Sequence, residues 1–528
     1  MTEPERSRFA SGRHAGVMVP LFSIPSRMSW GIGEIPDLAL LARWLESSGL
    51  DAVQILPVNE MADDQSSPYS ALSAMAVDPI FIALGDVEDF AEAGGEAALA
   101  RDDRTKLDAV RRSSGVDYPN VRRIKSRALR LAFESFQSRH WQVGSSRAAA
   151  LRAFTERERW WLGDYGLFRA LHEAFRSIHW QEWTLELRNR EAAALEAARD
   201  WLAGPILYYE YLQWLAEEQW QRVRRDCARA GIFGDFPFMV SANSADVWAR
   251  QNEFRVDVSV GVPPDAFSET GQDWGLPAYR WDVVSRNGYE WLRNRTRRCA
   301  ELFDGFRVDH LVGFYRTFVR EADGTTYFIP PDEPEQREQG ERLLKLFSSY
   351  GAAIVAEDLG TVPDFVRASM ARLGIPGLKV FRWEREWHQP GQPFRDPAQY
   401  PSASVATSGT HDTDTMAEWW DGADEDERRR VLELPLMRER GLSPDTPYAD
   451  AVREALTEML LAAGSDLVIV PLQDVFGWRD RINRPASVGE QNWTWRLPWP
   501  VEDLTTDPES RQRAEFLHRT CAKFGRRR

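Results

Sequence analysis

The chain has 528 residues, and 43% of them are apolar, which is ample for a large buried core and argues against wholesale disorder. Its formal net charge of −15 disfavours a general nucleic-acid binder and any reliance on anionic membranes, and no run is apolar enough to span a bilayer. The three cysteines, Cys227, Cys299 and Cys521, lack metal-ligand spacing, and "MTEPERSRFA" lacks the apolar stretch of a signal peptide, so the expected location is the reducing cytoplasm.

A short apolar run, ending in Gly, Pro or a polar cluster and followed by a helical stretch, recurs along the chain. The first, "GVMVPLF" (16–22), precedes a helix whose Leu38, Leu41, Ala42 and Leu45 share one face. The second is "DAVQILPV" (51–58), so residues 1–85 hold strands one and two. The Arg/Ala/Glu/Leu-rich region 86–230 is too long for one crossover and reads as a helical subdomain inserted between strands two and three. Strands three to eight fall within 231–500, beginning with "GIFGDFPF" (231–238). A shorter insertion, about 239–290, and the amphipathic "NGYEWLRNRTRRCAELF", with Cys299 near its apolar side, lead to "FDGFRVDHL" (303–311). "AAIVAEDLG" (352–360) precedes a helix that has Pro363 in its first turn, an apolar stripe of Phe365, Val366, Met370 and Leu373, and Gly374 to end it. "GLKVFRW" (377–383) runs into a segment, 383–401, too proline-rich for a good helix. "SASVATSGTHD" (402–412) and "DLVIVPLQD" (466–474) complete eight strands, and 501–528 reads as a terminal helix.

Continuous apolar strands alternating with helices imply a parallel sheet buried on both faces, and eight of them suggest a closed (β/α)8 barrel. The alternative is an open doubly wound sheet with a separate helical domain. It lacks the Gly-rich phosphate turn after strand one.

In such a barrel the chemistry sits where strands end. Those ends carry Asp235, Asp309, Glu357 with Asp358, His411 with Asp412, and Asp474. Singly, an acid there is more often a helix cap or an ion-pair partner, and "THDTD" alone reads as a capped helix start. Their joint fall on strands three, four, five and seven points to a site. Pleating puts Arg307 and Asp309 on one side of strand four and Val355 and Glu357 on one side of strand five, so both acids face the mouth. Neighbouring strands lie about 4.8 Å apart. That is compatible with the ~5–5.5 Å carboxyl separation of retaining glycosidic chemistry. Arg307 is expected to hold Asp309 ionised as a nucleophile, while burial and a neighbouring charge raise Glu357 as a general acid. Asp412 would steady an oxocarbenium-like transition state, with His411 donating to the same sugar. The 22 tryptophans are mostly core, and some are candidate platforms for sugar faces.

"FRVDHLVGF", "VAEDLG" and "SGTHDTDT", in this order, resemble the 4-α-glucanotransferases known as amylomaltases or disproportionating enzymes. "SSPYSALSAMAVDPIFI", "GDFPFMVSANSADVW", "GVPPDAFSETGQDWGLPAYRW" and "PLQDVFGWRDRINRPASVGEQNWTWR" extend the likeness from about residue 16 to 500. The resemblance implies Asp309 as nucleophile, Glu357 as acid/base and Asp412 as transition-state stabiliser. It implies sugar contacts from Arg307, Asp235 and His411, and a glucan path lined by Tyr69, Phe267 and Trp274; Asp358, next to the acid/base, is a further candidate substrate-binding residue. It implies α-1,4-glucans and maltooligosaccharides as partners, glucose as an acceptor, and no metal or organic cofactor. The chain departs from the family pattern at Ala266, where an aromatic is usual, at Leu276, usually Asn, and at Thr413, also usually Asn. Two other readings compete: an α-glucan hydrolase on the same barrel, and a glucan-binding protein without turnover. Only the resemblance separates transfer from hydrolysis.

Overall fold

The computed structural model describes residues 7–10, 12–62, 65–227, 229–264, 271–485, 489 and 491–526. Twelve strands occur along them: β1 His14–Met18, β2 Ala52–Gln54, β3 Gly231–Phe236, β4 Phe254–Val262, β5 Gln272–Tyr279 and β6 Gly305–Val308, then β7 Thr317–Glu321, β8 Thr326–Ile329, β9 Ala353–Ala356, β10 Gly377–Val380, β11 Ser404–Thr407 and β12 Leu467–Pro471. Eight of them close a parallel barrel in the order β1-β12-β11-β10-β9-β6-β3-β2. These are the eight apolar runs of the sequence. β1, β3, β6, β11 and β12 are buried along their whole length, as a sheet covered on both faces requires.

The surrounding helices follow the sequence pattern. The helix Asp37–Ser47 buries Leu38, Leu41, Ala42 and Leu45. The helix Glu290–Leu302 buries Cys299. The helix Asp364–Leu373 begins directly after Pro363 and ends on Gly374, whose φ of +68° is the left-handed conformation that glycine adopts freely. Between β10 and β11 only the short turns Phe381–Trp383 and Pro397–Gln399 are helical, in keeping with the prolines of that stretch. Among the described residues no helix is long and apolar enough to cross a membrane.

The chain between β2 and β3 is helical, with Tyr118–Phe136, Arg159–Ala174 and Ala203–Asp226 as its longest members. Polar side chains bind these helices to the loop that leaves β2. Gln213 accepts from the Val77 amide at 3.0 Å and donates to the Val77 carbonyl at 2.9 Å. Gln219 does the same to Ala83, at 2.9 Å each way. Each glutamine imitates a strand neighbour for one residue and so satisfies a buried peptide group. Lys125 lies buried between Glu34 at 2.6 Å and the carbonyls of Ile80 and Ile82 at 2.6 and 2.8 Å.

The shorter insertion departs from the expected loop. β4 and β5 form an antiparallel pair before β6, and β7 and β8 form another after it. β4 pairs with β7, which makes a four-stranded sheet β5-β4-β7-β8 beside the barrel mouth. The hairpin "TFVREADGTTYFI" carries its own signal, since Asp-Gly between alternating apolar residues marks a tight turn.

Replacing Lys125 by Met strands a buried carboxylate and two carbonyls. Lys125→Met is expected to lower stability by about 3–5 kcal/mol. Denaturant unfolding measures it, and a loss under about 1 kcal/mol would show that the clamp carries no weight.

Candidate active site

The cluster starts from the alternation of β3, β6 and β9. Phe236 and Phe306 point outward and stack at 5.6 Å, with Phe347 of the helix Glu333–Phe347 5.1 Å from Phe236. The residues between them therefore point inward. Asp235 is paired in register with Arg307, and Arg307 with Val355. One residue beyond the ends of β6 and β9 stand Asp309 and Glu357, side by side at the mouth.

Arg307 is the hub. Its Nη1 donates to the Asp235 carboxylate in a very short contact and to the Tyr69 hydroxyl at 3.3 Å. Its Nη2 lies 2.7 Å from Asp309 Oδ1 and 2.9 Å from Glu357 Oε2. Tyr69 Oη donates to Asp235 at 2.9 Å. The Phe238 amide reaches Asp309 Oδ2 at 3.3 Å. Directly after Asp309 the backbone turns sharply: His310 has φ +45°, rare for a residue with a side chain. That turn aims the His310 amide at Glu357 Oε2, 2.7 Å away.

The two acids also share a hydrogen bond with each other, so their protonation is joint. Burial pushes Asp309 up to about 8, Arg307 opposes this, and the charge of Glu357 adds to it. Burial acts on Glu357 in the same direction, but Arg307 and the His310 amide outweigh it and hold Glu357 below its ordinary value. This reverses the expectation that Arg307 alone would keep Asp309 ionised and leave Glu357 raised. Arg307 serves both acids nearly equally, and the amide that breaks the tie belongs to Glu357. The directions are opposite, Asp309 raised and Glu357 lowered, and they belong to the pair as a unit. Burial also raises Asp235, against the pull of Arg307.

Beyond β11, Asp412 projects into the opening with 43% of its side chain exposed. Burial of its surroundings would raise it. His411 at 3.3 Å and the Asn483 amide at 2.6 Å prevail and hold it well below the usual carboxylate range. Asp412 in turn raises His411, against the effect of burial. The His411 ring stacks on Tyr69 at 5.4 Å and 19°, and Trp493 meets both rings at 5.8 and 5.9 Å. Three flat side chains thus form one wall. Trp274, on β5, sets its edge against His310 at 4.8 Å and so brings the side sheet to the mouth.

Of the residues expected at the site, Asp235, Arg307, Asp309, Glu357, His411, Asp412 and Tyr69 form this one cluster, and Trp274 flanks it. Phe267 and Ala266 lie outside the described residues. Asp358 does not join. It points along the strand edge, accepting from the Leu378 amide at 2.9 Å, with Arg367 at 3.8 Å. A side chain at Gly377 would collide with its carboxylate at 2.6 Å. Asp474 braces the loop after β11 from below, through Ser408 and the Met416 amide. Thr413 closes that loop: its hydroxyl accepts from the Thr410 amide at 3.0 Å and donates to the Thr410 carbonyl at 3.1 Å. Leu276 packs partly buried against the core.

Asn483, Trp493 and the amides of Phe238 and His310 were not singled out from the sequence. Asn483 and Trp493 lie past β12, where the strand-end rule has no reach, and a backbone amide leaves no mark in composition. Outside the mouth, Asp89, Glu92 and His140 bring three metal-type ligands together in the helical insertion. Arg147 and Tyr211 already bind the oxygens of Asp89, so a cation there would compete with a guanidinium.

A family profile described as 4-alpha-glucanotransferase matches residues 19–502. A 4-alpha-glucanotransferase of Thermus thermophilus is 33% identical over 501 residues, which span 92% of this chain and 95% of that protein. One from Chlamydia pneumoniae is 30% identical over 503 residues, 93% of this chain and 92% of its own length. The solved amylomaltase from Streptococcus agalactiae in complex with acarbose superposes with a TM-score of 0.80 at 26% identity, covering 98% of this chain and all of that one. With a closed barrel, an acid cluster at its mouth and matches that run almost end to end, the chain belongs to the 4-alpha-glucanotransferase family.

Proposed function

We propose that the protein transfers α-1,4-glucan segments between maltooligosaccharides by a retaining double displacement through a glycosyl ester on Asp309. One observation carries this reading: Asp309 and Glu357 share one guanidinium at the barrel mouth, at 2.7 and 2.9 Å, while His411 and Asn483 favour the ionised form of Asp412 just beyond β11. A nucleophile, a proton donor and a fixed anion are the three parts that such a reaction needs.

With Asp309 raised and Glu357 lowered in the free site, the first step needs the proton on Glu357, and the substrate favours that placement. A glycosidic oxygen beside Glu357 can accept a hydrogen bond only from its protonated form. Positive charge building at the anomeric carbon favours an ionised Asp309. Both effects move the proton across the hydrogen bond that already joins the pair. Glu357 then protonates the departing oxygen as Asp309 attacks the anomeric carbon from the opposite face. The glycosyl–oxygen bond breaks, and the released glucan carries the proton away. In the second half an acceptor hydroxyl gives its proton to Glu357 and attacks the anomeric carbon, whose bond to the Asp309 carboxylate oxygen breaks and frees Asp309. Two inversions restore the α configuration. Asp412 stabilises the oxocarbenium character of both transition states. The Tyr69, His411 and Trp493 wall offers flat apolar surface to a sugar face, and the side sheet bearing Trp274 favours a sugar hydroxyl over water by shielding the mouth. Glucose is the smallest acceptor that fits this scheme.

Incubation with maltotriose is expected to release glucose and longer oligomers at a constant number of reducing ends. A rising number would make the protein a hydrolase.

Glu357→Gln removes the proton donor. Transfer from maltotriose is expected to fall about 10²–10⁴-fold. A maltosyl fluoride, whose leaving group needs no protonation, should still load Asp309, visible as added mass on the intact chain. Equal loss with both donors would exclude the acid role.

The shared proton sets a pH limit. The pair keeps it below the raised value of Asp309, about 8, and loses it above. kcat/KM with maltotriose is therefore expected to decline as pH rises through about 8. A profile still flat at pH 10 would contradict a shared proton.

A further inference from the structure

The proline-rich segment after β10 replaces the sixth barrel helix with a small arm. Arg385 and Phe394 face each other across an antiparallel bridge, and the Glu386 amide donates to the Pro393 carbonyl at 2.9 Å. Two further turns close the tip, from the Gln389 amide to Glu386 and from the Gln392 amide to Gln389, at 2.9 and 3.0 Å. Gly391 and Gln392 both take left-handed φ values, +77° and +44°.

The base of the arm is rigid. Phe394 stacks on Phe381 at 5.1 Å, and Arg385 lies 4.1 Å over the Phe394 ring while pairing with Glu427. Arg382 is buried, and it donates to the Ser408 carbonyl at 3.2–3.3 Å, which bolts the root of the arm to the loop that carries His411 and Asp412. The tip, in contrast, is open. Trp387 is 53% exposed, and His388, Gln389 and Gln392 beside it are exposed as well. Burial of an indole drives folding, so a rigid arm that holds one in water forgoes that gain. An aromatic ring bordered by amides and an imidazole suits a carbohydrate: the ring covers the C–H face of a sugar, and the amides meet its hydroxyls. The arm leaves the carboxyl end of β10, the same end of the barrel as Asp309 and Glu357.

We propose that Trp387, with Gln389 and Gln392, is an α-glucan contact site outside the catalytic cluster, engaged only by chains long enough to reach from the mouth to the arm. The inference rests on the glucan reading given above. Because the arm is braced from below, binding there costs little ordering, and its contribution adds to the hold on long chains and not on short ones.

The test compares the full-length protein with Trp387→Ala and Trp387→Phe, on maltotriose and on a long maltodextrin. In Trp387→Ala the ratio of kcat/KM for maltodextrin to that for maltotriose is expected to fall about three- to tenfold. Trp387→Phe, which keeps a flat ring, should restore most of the ratio. Native electrophoresis through glycogen should show less retardation for Trp387→Ala than for the parent. A wild-type protein that transfers glucan, with the same ratio in Trp387→Ala, overturns the site alone. Equal loss on both donors also overturns it, since that is the mark of a structural role. No transfer by the wild type on any maltooligosaccharide overturns the glucan reading and the arm site with it.

Discussion

One guanidinium governs the mouth of this barrel. Arg307 is buried and faces three carboxyl groups, Asp235, Asp309 and Glu357. A single positive charge cannot fully offset three negative ones, so the acids compete for it and some of them favour their protonated forms. That is why burial raises both Asp235 and Asp309 while Glu357, favoured by the His310 amide, stays low. The planar fork of the guanidinium matters as much as its charge. It presents separate N–H groups to different acids at fixed angles, which the single ammonium of a lysine does not. The roles of the acids thus follow from how one side chain divides its donors.

The rest of the molecule keeps that division in place. The loop after β2 delivers Tyr69, and it is held by residues far away in sequence: Gln213 fixes Val77, and Tyr165 donates to Glu60 at 2.6 Å. The helical insertion therefore reaches the site along two routes: through the loop of Tyr69, whose hydroxyl bonds both Asp235 and Arg307, and through Tyr118, whose hydroxyl donates to the Trp493 carbonyl at 2.9 Å. On the other side Asn483 binds Asp412 through its side chain and the His411 carbonyl through its amide at 3.1 Å. The wall of Tyr69, His411 and Trp493 is where these two supports meet.

Much of this was legible in the sequence, for physical reasons. Buried parallel strands need unbroken apolar runs, so all eight barrel strands stood out. Period-two alternation placed Asp309 and Glu357 on adjacent inward faces. The proline-rich stretch after β10 announced the missing helix. Other features were hidden because they depend on distance in space. Asp358 follows Glu357 directly and looks equivalent to it, yet alternation sends it to the opposite face. The proton assignment turns on a backbone amide, which every residue has. The side sheet was missed because its two hairpins lie on either side of β6, and neither is complete without the other.

That last feature bears on how the fold can be altered. The strand that leads to Asp309 lies in sequence between two hairpins that pair with each other through β4 and β7. Either hairpin alone would present a raw edge to solvent. The cover over the mouth is consequently not a cassette: a graft from another protein must bring both hairpins and respect the span of β6 between them. Loop exchange at this position alters the surroundings of Asp309, whereas the arm after β10 is a contiguous piece that can be swapped without cutting the barrel twice.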